Sequence, residues 1–302
     1  MYDLIIIGLG PAALTAGIYA GRRELNTLII GKEIGGQLVW ADLIENYPGA
    51  PKIKSFDLIN NMKNQAEEFG AKIRTDEIKE IVKTNENTFI LRSNKEEYKA
   101  KSVIIATGLS PKRLEIPGEI EFSGKGVSYC ANCDGPFYKN KSVAVIGGGN
   151  SALDAAEVLS KIAKKVYLIH HKNSFNAFEG LQKDVKNKKN IIKIYQTEVK
   201  EIVGDKNVKS INLNNLANNS QKTIKVDGVF IEIGRIASTD IFSHLVERNN
   251  KNQILIDSKG KTKTDGLYAA GDVTSCEVKQ ISVAVGQATI AALDSYNYIK
   301  NN

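Results

Sequence analysis

The chain has 302 residues, 42% hydrophobic and 25% charged, with a formal net charge of +7. That length allows about two domains with ample cores, while three cysteines are too few, and an odd number, for a secreted disulfide scaffold. No apolar run reaches the roughly 18 residues of a membrane span. The basic runs, such as Lys183 to Lys189, lack interleaved aromatics, which argues against nucleic acid and for a solvated face or a docking surface for an acidic protein.

The apolar run Leu4 to Ile7 reads as a strand; it has neither the basic start nor the cleavage site of a signal peptide, so the cytoplasm is the expected location. Gly8-Leu9-Gly10-Pro11-Ala12-Ala13 follows, then a helical stretch to Arg22 and a second apolar run, Leu28 to Ile30, that leads to Glu33. Strand, glycine turn, helix, strand and acid fit the βαβ unit that binds an ADP group. Glycines let the backbone approach a pyrophosphate, the helix N-terminus favours the anion, and Glu33 can accept hydrogen bonds from ribose hydroxyls. Val103-Ile104-Ile105 then runs into the small-residue turn Ala106-Thr107-Gly108.

The pattern returns at Ser142 to Ile146, followed by Gly147-Gly148-Gly149-Asn150-Ser151-Ala152, a helix to Ile162 and a strand at Lys165 to Ile169. Two such units roughly 140 residues apart imply two dinucleotide domains. Leu267-Tyr268-Ala269-Ala270-Gly271-Asp272 is another buried strand with an acid at its C-terminal end, where ligands sit in open α/β sheets. Asp272 is therefore placed to meet the polyol chain of a flavin. A helix from Gln280 to about Tyr298 closes the chain. The expected fold is α/β, with two Rossmann-like dinucleotide-binding domains of the three-layer ββα sandwich type, the first of them discontinuous. Residues 1–111 and 244–302 are assigned to the flavin domain and residues 112–243 to a central domain that carries Cys130-Ala131-Asn132-Cys133-Asp134-Gly135.

A close cysteine pair can exchange electrons with a disulfide. The bland alternative is two buried structural thiols. Zinc lacks a second ligand pair, so no metal is expected. Cys276 is left over and reads as structural or incidental.

Taken together these residues resemble the low-molecular-weight thioredoxin reductase family over essentially the whole chain. The matching pieces are Gly8-Leu9-Gly10-Pro11-Ala12, Gly35-Gly36-Gln37, Glu45-Asn46-Tyr47-Pro48-Gly49, Ala106-Thr107-Gly108, the Cys130–Gly135 segment, Gly147 to Ala152, and Gly271-Asp272. The resemblance implies bound FAD, a homodimer, and reduction of thioredoxin or a similar small disulfide protein. It implies flavin contacts from Gly8, Gly10, Pro11 and Ala12, from Gly31 and Glu33, and from Gly35, Gly36, Gln37 and Asn46. Ala106, Thr107, Gly108, Gly271, Asp272, Gln280 and Ile281 complete that set. It also implies that reduced flavin passes electrons to a Cys130–Cys133 disulfide, with Cys133 the flavin-proximal sulfur and Asp134 the acid that exchanges protons. The dithiol then reduces the partner through a mixed disulfide, and the central domain is expected to rotate between the two steps. Alkyl-hydroperoxide-reductase flavoproteins share this core but carry an N-terminal thioredoxin-like extension, whereas this chain starts at the flavin strand. Ferredoxin–NADP reductases of the same fold lack the cysteine pair.

The second dinucleotide unit departs from the family. Where the family has His-Arg-Arg and a further Arg four positions on, this chain has His170-His171-Lys172-Asn173-Ser174-Phe175-Asn176. Lys172 keeps a charge but not the planar fork that grips a 2′-phosphate, and each lost charge-assisted bond removes about 1.5–3 kcal/mol. No acid stands at the end of Tyr167-Leu168-Ile169-His170 to take the free ribose hydroxyls of NADH. After Val229 to Ile233 the chain reads Gly234-Arg235-Ile236-Ala237-Ser238, where the family has Gly-His-x-Pro-Asn/Asp. The intact Gly147-Gly148-Gly149 turn is the contrary signal. The expectation is a donor other than NADPH, as in the divergent clostridial-type reductases that draw on ferredoxin, and a positive surface suits an acidic iron–sulfur donor. The competing readings are an NADPH enzyme with a degenerate site, a deazaflavin or NADH donor, and a redox-inert flavoprotein that only binds partners.

Overall fold

The computed structural model describes residues 1–40 and 43–302. The chain divides into two compact units, residues 1–110 with 236–302 and residues 111–235.

The first unit opens with β1 (Tyr2–Ile7), α1 (Pro11–Gly21), β2 (Thr27–Gly31), α2 (Ser55–Glu68) and β3 (Lys72–Thr75). A meander follows: β4 (Ile78–Lys83), β5 (Phe89–Ser93) and the long β6 (Glu97–Ile105). The sheet order is β3-β2-β1-β6-β5-β4, parallel through β6 and antiparallel beyond it. β1 is continuously apolar from Leu4 to Ile7 because both its faces are covered there. Leu4 and Ile6 join a core with α1 and α2, while Ile5 and Ile7 join one with Ile81, Phe89 and Leu91 of the meander. Pro11 starts α1 at a position whose missing N–H would have had no helical partner.

The second unit repeats the plan. Its elements are β7 (Val127–Ser128), α3 (Ala131–Asp134), β8 (Ser142–Ile146), α4 (Asn150–Ser160), β9 (Lys165–Ile169), α5 (Glu179–Asn187) and β10 (Ile191–Ile194). A three-stranded antiparallel meander, β11 (Thr197–Gly204), β12 (Val208–Asn215) and β13 (Gln221–Lys225), precedes β14 (Gly228–Ile231). The parallel sheet runs β7-β14-β8-β9-β10. Val143, Val145 and Phe230 face α4, whereas Ala144, Ile146, Val229 and Ile231 face the meander.

The chain then returns to the first unit, where β15 (Leu267–Ala269) pairs with the C-terminal half of β6 and α6 (Ile281–Asn301) packs on α1 through Ala284, Ala288 and Ala291. The return comes earlier than the sequence suggests. Residues 236–243, read from sequence as part of the central domain, belong to the first unit because Ala237 and Phe242 are buried in its meander-side core.

In each unit the strand order reverses beside the first strand: between β1 and β6, and between β8 and β14. Ligands of doubly wound sheets bind at such points. No helix among the described residues is long and apolar enough to cross a membrane, and no group of three metal-ligating side chains among them is placed to hold an ion.

Candidate functional site

The first crevice is built around glycines, and at Gly8 no other residue could stand. Gly8 follows β1 at φ +128°, and a Cβ there would lie 2.2 Å from the Ala106 carbonyl oxygen. The Ala106 N–H donates to Ile7 O (2.7 Å) and the Ala270 N–H to Ile105 O (3.0 Å), so the ends of β1, β6 and β15 meet. Gly31, at the end of β2, sits against Gly8, where a Cβ would come 3.0 Å from backbone. Gly10 precedes α1, and a Cβ on it would find nothing closer than 3.8 Å, leaving the first-turn amides open on that side. The Gly35 N–H donates to Leu9 O (2.7 Å), which holds Gly36 against Gly10. Gln37 Nε2 donates to Asp272 Oδ2 (2.7 Å), and Asn46 Nδ2 to Gln280 Oε1 (3.0 Å). Gly271 packs on Ala12, Gly108 lies beside Gln37, and Ile281 is the first residue of α6. Glu33 and Thr107 are exposed.

These residues fit FAD. Open helix amides beside Gly10 suit the phosphates, Glu33 follows β2 where ribose hydroxyls are met, and Asp272 follows β15. Two supporting residues escape a reading of the sequence. Gln287 accepts from the Gly271 N–H (2.8 Å), and Lys279 Nζ donates to the carbonyls of Asp272 (3.0 Å) and Thr274 (2.7 Å). Burial pushes the Lys279 ammonium below its ordinary value. The available signal was Gln287 itself, a polar residue within the alanine stripe of α6.

In the second unit Cys130 and Cys133 form a disulfide with Cα atoms 5.4 Å apart. Cys130 is buried and caps α3, its sulfur accepting the Cys133 N–H at 3.0 Å; Cys133 is exposed. Ser128 braces the entry, its Oγ accepting the Cys130 N–H (3.0 Å) and donating to Cys130 O (3.2 Å). Tyr129 donates to Glu119 Oε1 (2.7 Å), and the same buried carboxylate accepts the N–H groups of Leu114 (3.1 Å) and Glu115 (2.7 Å). Burial, then the bond to Glu119, pushes the Tyr129 hydroxyl far above its ordinary value, so it stays a neutral donor. Asp134 closes α3, its N–H donating to Cys130 O (3.2 Å). Cys276 belongs to the first unit.

The second crevice matches the first in backbone. Gly147, at φ +147°, would place a Cβ 2.2 Å from Glu232 O. His170 lies over Gly148, where a Cβ would come 2.4 Å from the ring. Burial, then the charges of His171 and Lys172, lowers its pKa, so the ring is neutral. The following segment is tied to the glycine turn: the Asn176 N–H donates to Gly148 O (2.7 Å) and the Phe178 N–H to Asn150 Oδ1 (2.8 Å). His171, Lys172 and Asn176 are all exposed at this edge. The glycine turn has the backbone of the first crevice, but the segment offers no guanidinium for a 2′-phosphate and β9 ends in no acid for a ribose.

The family model for pyridine nucleotide-disulphide oxidoreductases matches residues 2–288. The thioredoxin reductase of Listeria innocua is 38% identical over 302 residues, covering 99% of this chain and 94% of the relative. The solved thioredoxin reductase of Lactococcus lactis, in its FR conformation, superposes with a TM-score of 0.90 at 33% identity and full coverage of both chains. A ferredoxin-flavin thioredoxin reductase from Clostridium acetobutylicum is 29% identical, with a TM-score of 0.56 and coverage of 100% of this chain and 99% of the other. The fold, the two glycine crevices and these likenesses agree: the chain belongs to the pyridine nucleotide-disulphide oxidoreductase family, among its thioredoxin reductases.

Proposed function

We propose that this protein is a flavin-dependent thioredoxin-disulfide reductase, acting on thioredoxin or a thioredoxin-like protein through Cys130 and Cys133, with reduced ferredoxin rather than NADPH as its donor. The observation that carries the donor reading is the edge of the second crevice. At the positions where the family has its arginines it exposes His171, Lys172 and Asn176, so a 2′-phosphate meets one flexible ammonium and no planar fork. A ferredoxin-flavin thioredoxin reductase stands among the solved relatives, so a donor of this class occurs on this fold, while the likeness to the Lactococcus lactis thioredoxin reductase is the stronger of the two. The NADPH reading rests on the intact geometry of the Gly147 turn.

Two reduced ferredoxins, one thioredoxin disulfide and two protons give two oxidised ferredoxins and one thioredoxin dithiol. FAD, held by the residues of the first crevice, supplies the exchange between one-electron and two-electron chemistry. We assign Cys133 as the flavin-facing sulfur and Cys130 as the sulfur that attacks the partner. The Cys133 N–H aimed at Cys130 Sγ favours its thiolate. Attack on the partner disulfide forms a mixed disulfide and expels one partner thiolate; Cys133 then displaces the second and re-forms the Cys130–Cys133 bond. Asp134, beside the pair, is the residue we assign to deliver protons to the leaving thiolates. The reading also takes the protein as a cytoplasmic homodimer.

The test is an anaerobic titration of the FAD-loaded protein followed by flavin absorbance, with NADPH in one arm, enzymatically reduced ferredoxin in the other and thioredoxin in both. Turnover with ferredoxin and none with NADPH is the expected result. Turnover with NADPH alone would make this an ordinary reductase whose crevice tolerates the lost arginines. Flavin bleaching with no disulfide reduction in either arm would favour a redox-inert binding protein.

A further inference from the structure

The two crevices share the same backbone hydrogen bonds at the glycine turn, each within its own unit. Gly8 and Gly147 donate to the end of the second strand, at Ile30 O (2.7 Å) and Ile169 O (3.0 Å). Ala106 and Glu232 donate to the end of the first, at Ile7 O (2.7 Å) and Ile146 O (2.8 Å). A Cβ on Gly8 would strike Ala106 O and one on Gly147 would strike Glu232 O, both at 2.2 Å. Leu14 and Leu153 donate to Gly10 O and Gly149 O, which makes Thr15 and Asp154 counterparts as well. Where the flavin crevice carries Ala106 and the buried Thr15, the second crevice therefore carries two carboxylates.

Their direction follows from strand alternation. Phe230 faces α4, and although β14 ends at Ile231 the Glu232 N–H still bonds Ile146 O, so Glu232 projects to the same side, where Asp154 of α4 acts on its carboxyl; this is the side of the helix whose N-terminus would receive a pyrophosphate. Asp154 stands on that helix. We propose that Glu232 is a specificity-determining residue that excludes pyrophosphate-bearing dinucleotides from the second crevice, with Asp154 adding to its charge. The proposal rests on the reading that NADPH is not the donor and gives that reading a second cause, separate from the missing arginines. A phosphate anion placed there meets a like charge in a partly desolvated cleft, where repulsion is screened far less than in water.

The groups around Glu232 are Asp154 from α4, Arg235 from the segment after β14, and neutral His170 over Gly148 at the end of β9. Burial, with Asp154 adding and Arg235 opposing, raises the Glu232 carboxyl to about 7. An anionic ligand binds the protonated form better, so its affinity falls as pH rises through that value.

The test uses the FAD-loaded full chain carrying His171→Arg, Lys172→Arg and Asn176→Arg, which restores a 2′-phosphate grip, and measures NADPH binding by equilibrium dialysis. Adding Glu232→Gln should tighten binding at least about tenfold above the carboxyl's value, or about 1.4 kcal/mol. The gain should shrink below that value, and Asp154→Asn should give a smaller one. Glu232→Ala serves as a second variant, with FAD content confirming that each protein folds. Equal affinity with and without Glu232, and no NADPH turnover by the unsubstituted protein, would overturn the exclusion and leave the donor reading standing. NADPH turnover by the unsubstituted protein would overturn both.

Discussion

Cys130 is 7% exposed and holds an N–H on its sulfur, whereas Cys133 faces solvent. The assignment of Cys130 as the attacking thiolate makes a directional prediction, because only the attacking sulfur can be trapped on the partner when its mate is removed. Cys133→Ser should accumulate a mixed disulfide between Cys130 and thioredoxin, visible on a non-reducing gel, while Cys130→Ser should not. The reverse pattern would exchange the two roles. Both variants should keep FAD, since no flavin-crevice residue is touched. Glu232 makes a second residue-scale prediction. Its carboxyl ionises at about 7 in the folded protein against an ordinary 4.5. The unfolded chain therefore ionises first as pH rises, and the folded state loses stability between those values. Glu232→Gln should raise the unfolding free energy measured in urea above about pH 7, by at most about 3 kcal/mol, with no advantage below 4.5. An advantage independent of pH would mean the side chain acts through packing. The Cys130–Cys133 pair was legible because its spacing is local. Glu232 was not, because a carboxylate in Val229-Phe230-Ile231-Glu232-Ile233 reads as the tail of a strand until its alignment with Gly147 is known.

α6 shows what an element needs beyond an apolar stripe. Its alanines face α1, and its polar residues reach into the first unit at fixed points. Gln287 holds the Gly271 N–H, Ser295 Oγ meets Ser102 Oγ at 2.9 Å, and Asp294 accepts from the buried Tyr268 hydroxyl at 3.1 Å. Lys261 and Lys259 stand 3.2 and 3.5 Å from the same carboxylate. Burial alone would raise the Asp294 pKa, but the bonds from Lys261 and Tyr268 and the two lysine charges outweigh it and hold it below 3.8. Its contribution to stability is therefore present above 3.8 and lost as pH falls through the folded value. Asp294→Asn should cost about 1 kcal/mol at neutral pH, with the difference closing in acid; a cost that persists in acid would show that the amide fails as an acceptor for Tyr268. Gln287→Ala should weaken FAD retention with little change in the disulfide chemistry, measured by flavin release on dilution. Strand–turn–helix repeats were legible because each is a local pattern ending in glycine. The early return at 236 was not, because it is fixed by Ala237 and Phe242 joining a core whose other members lie far away in sequence.

At the scale of the whole molecule the relevant quantity is the net charge of +7. Charge of that size adds little to the affinity of a docked complex but raises the rate at which an oppositely charged partner arrives, and salt removes the effect within a Debye length of about 8–10 Å. A one-electron donor must arrive twice for each disulfide reduced, so the encounter rate enters the cycle twice. kcat/KM for an acidic ferredoxin should therefore fall about tenfold from low to physiological ionic strength and further above it. Flavin reduction by an uncharged small reductant should not change over the same range, which separates steering from any effect of salt on the protein. A ferredoxin rate indifferent to salt would show that the charge is spread over faces that the donor never meets. A rate that rises with salt would place the docking face among the acidic residues, and the donor would then have to be sought among neutral or basic carriers.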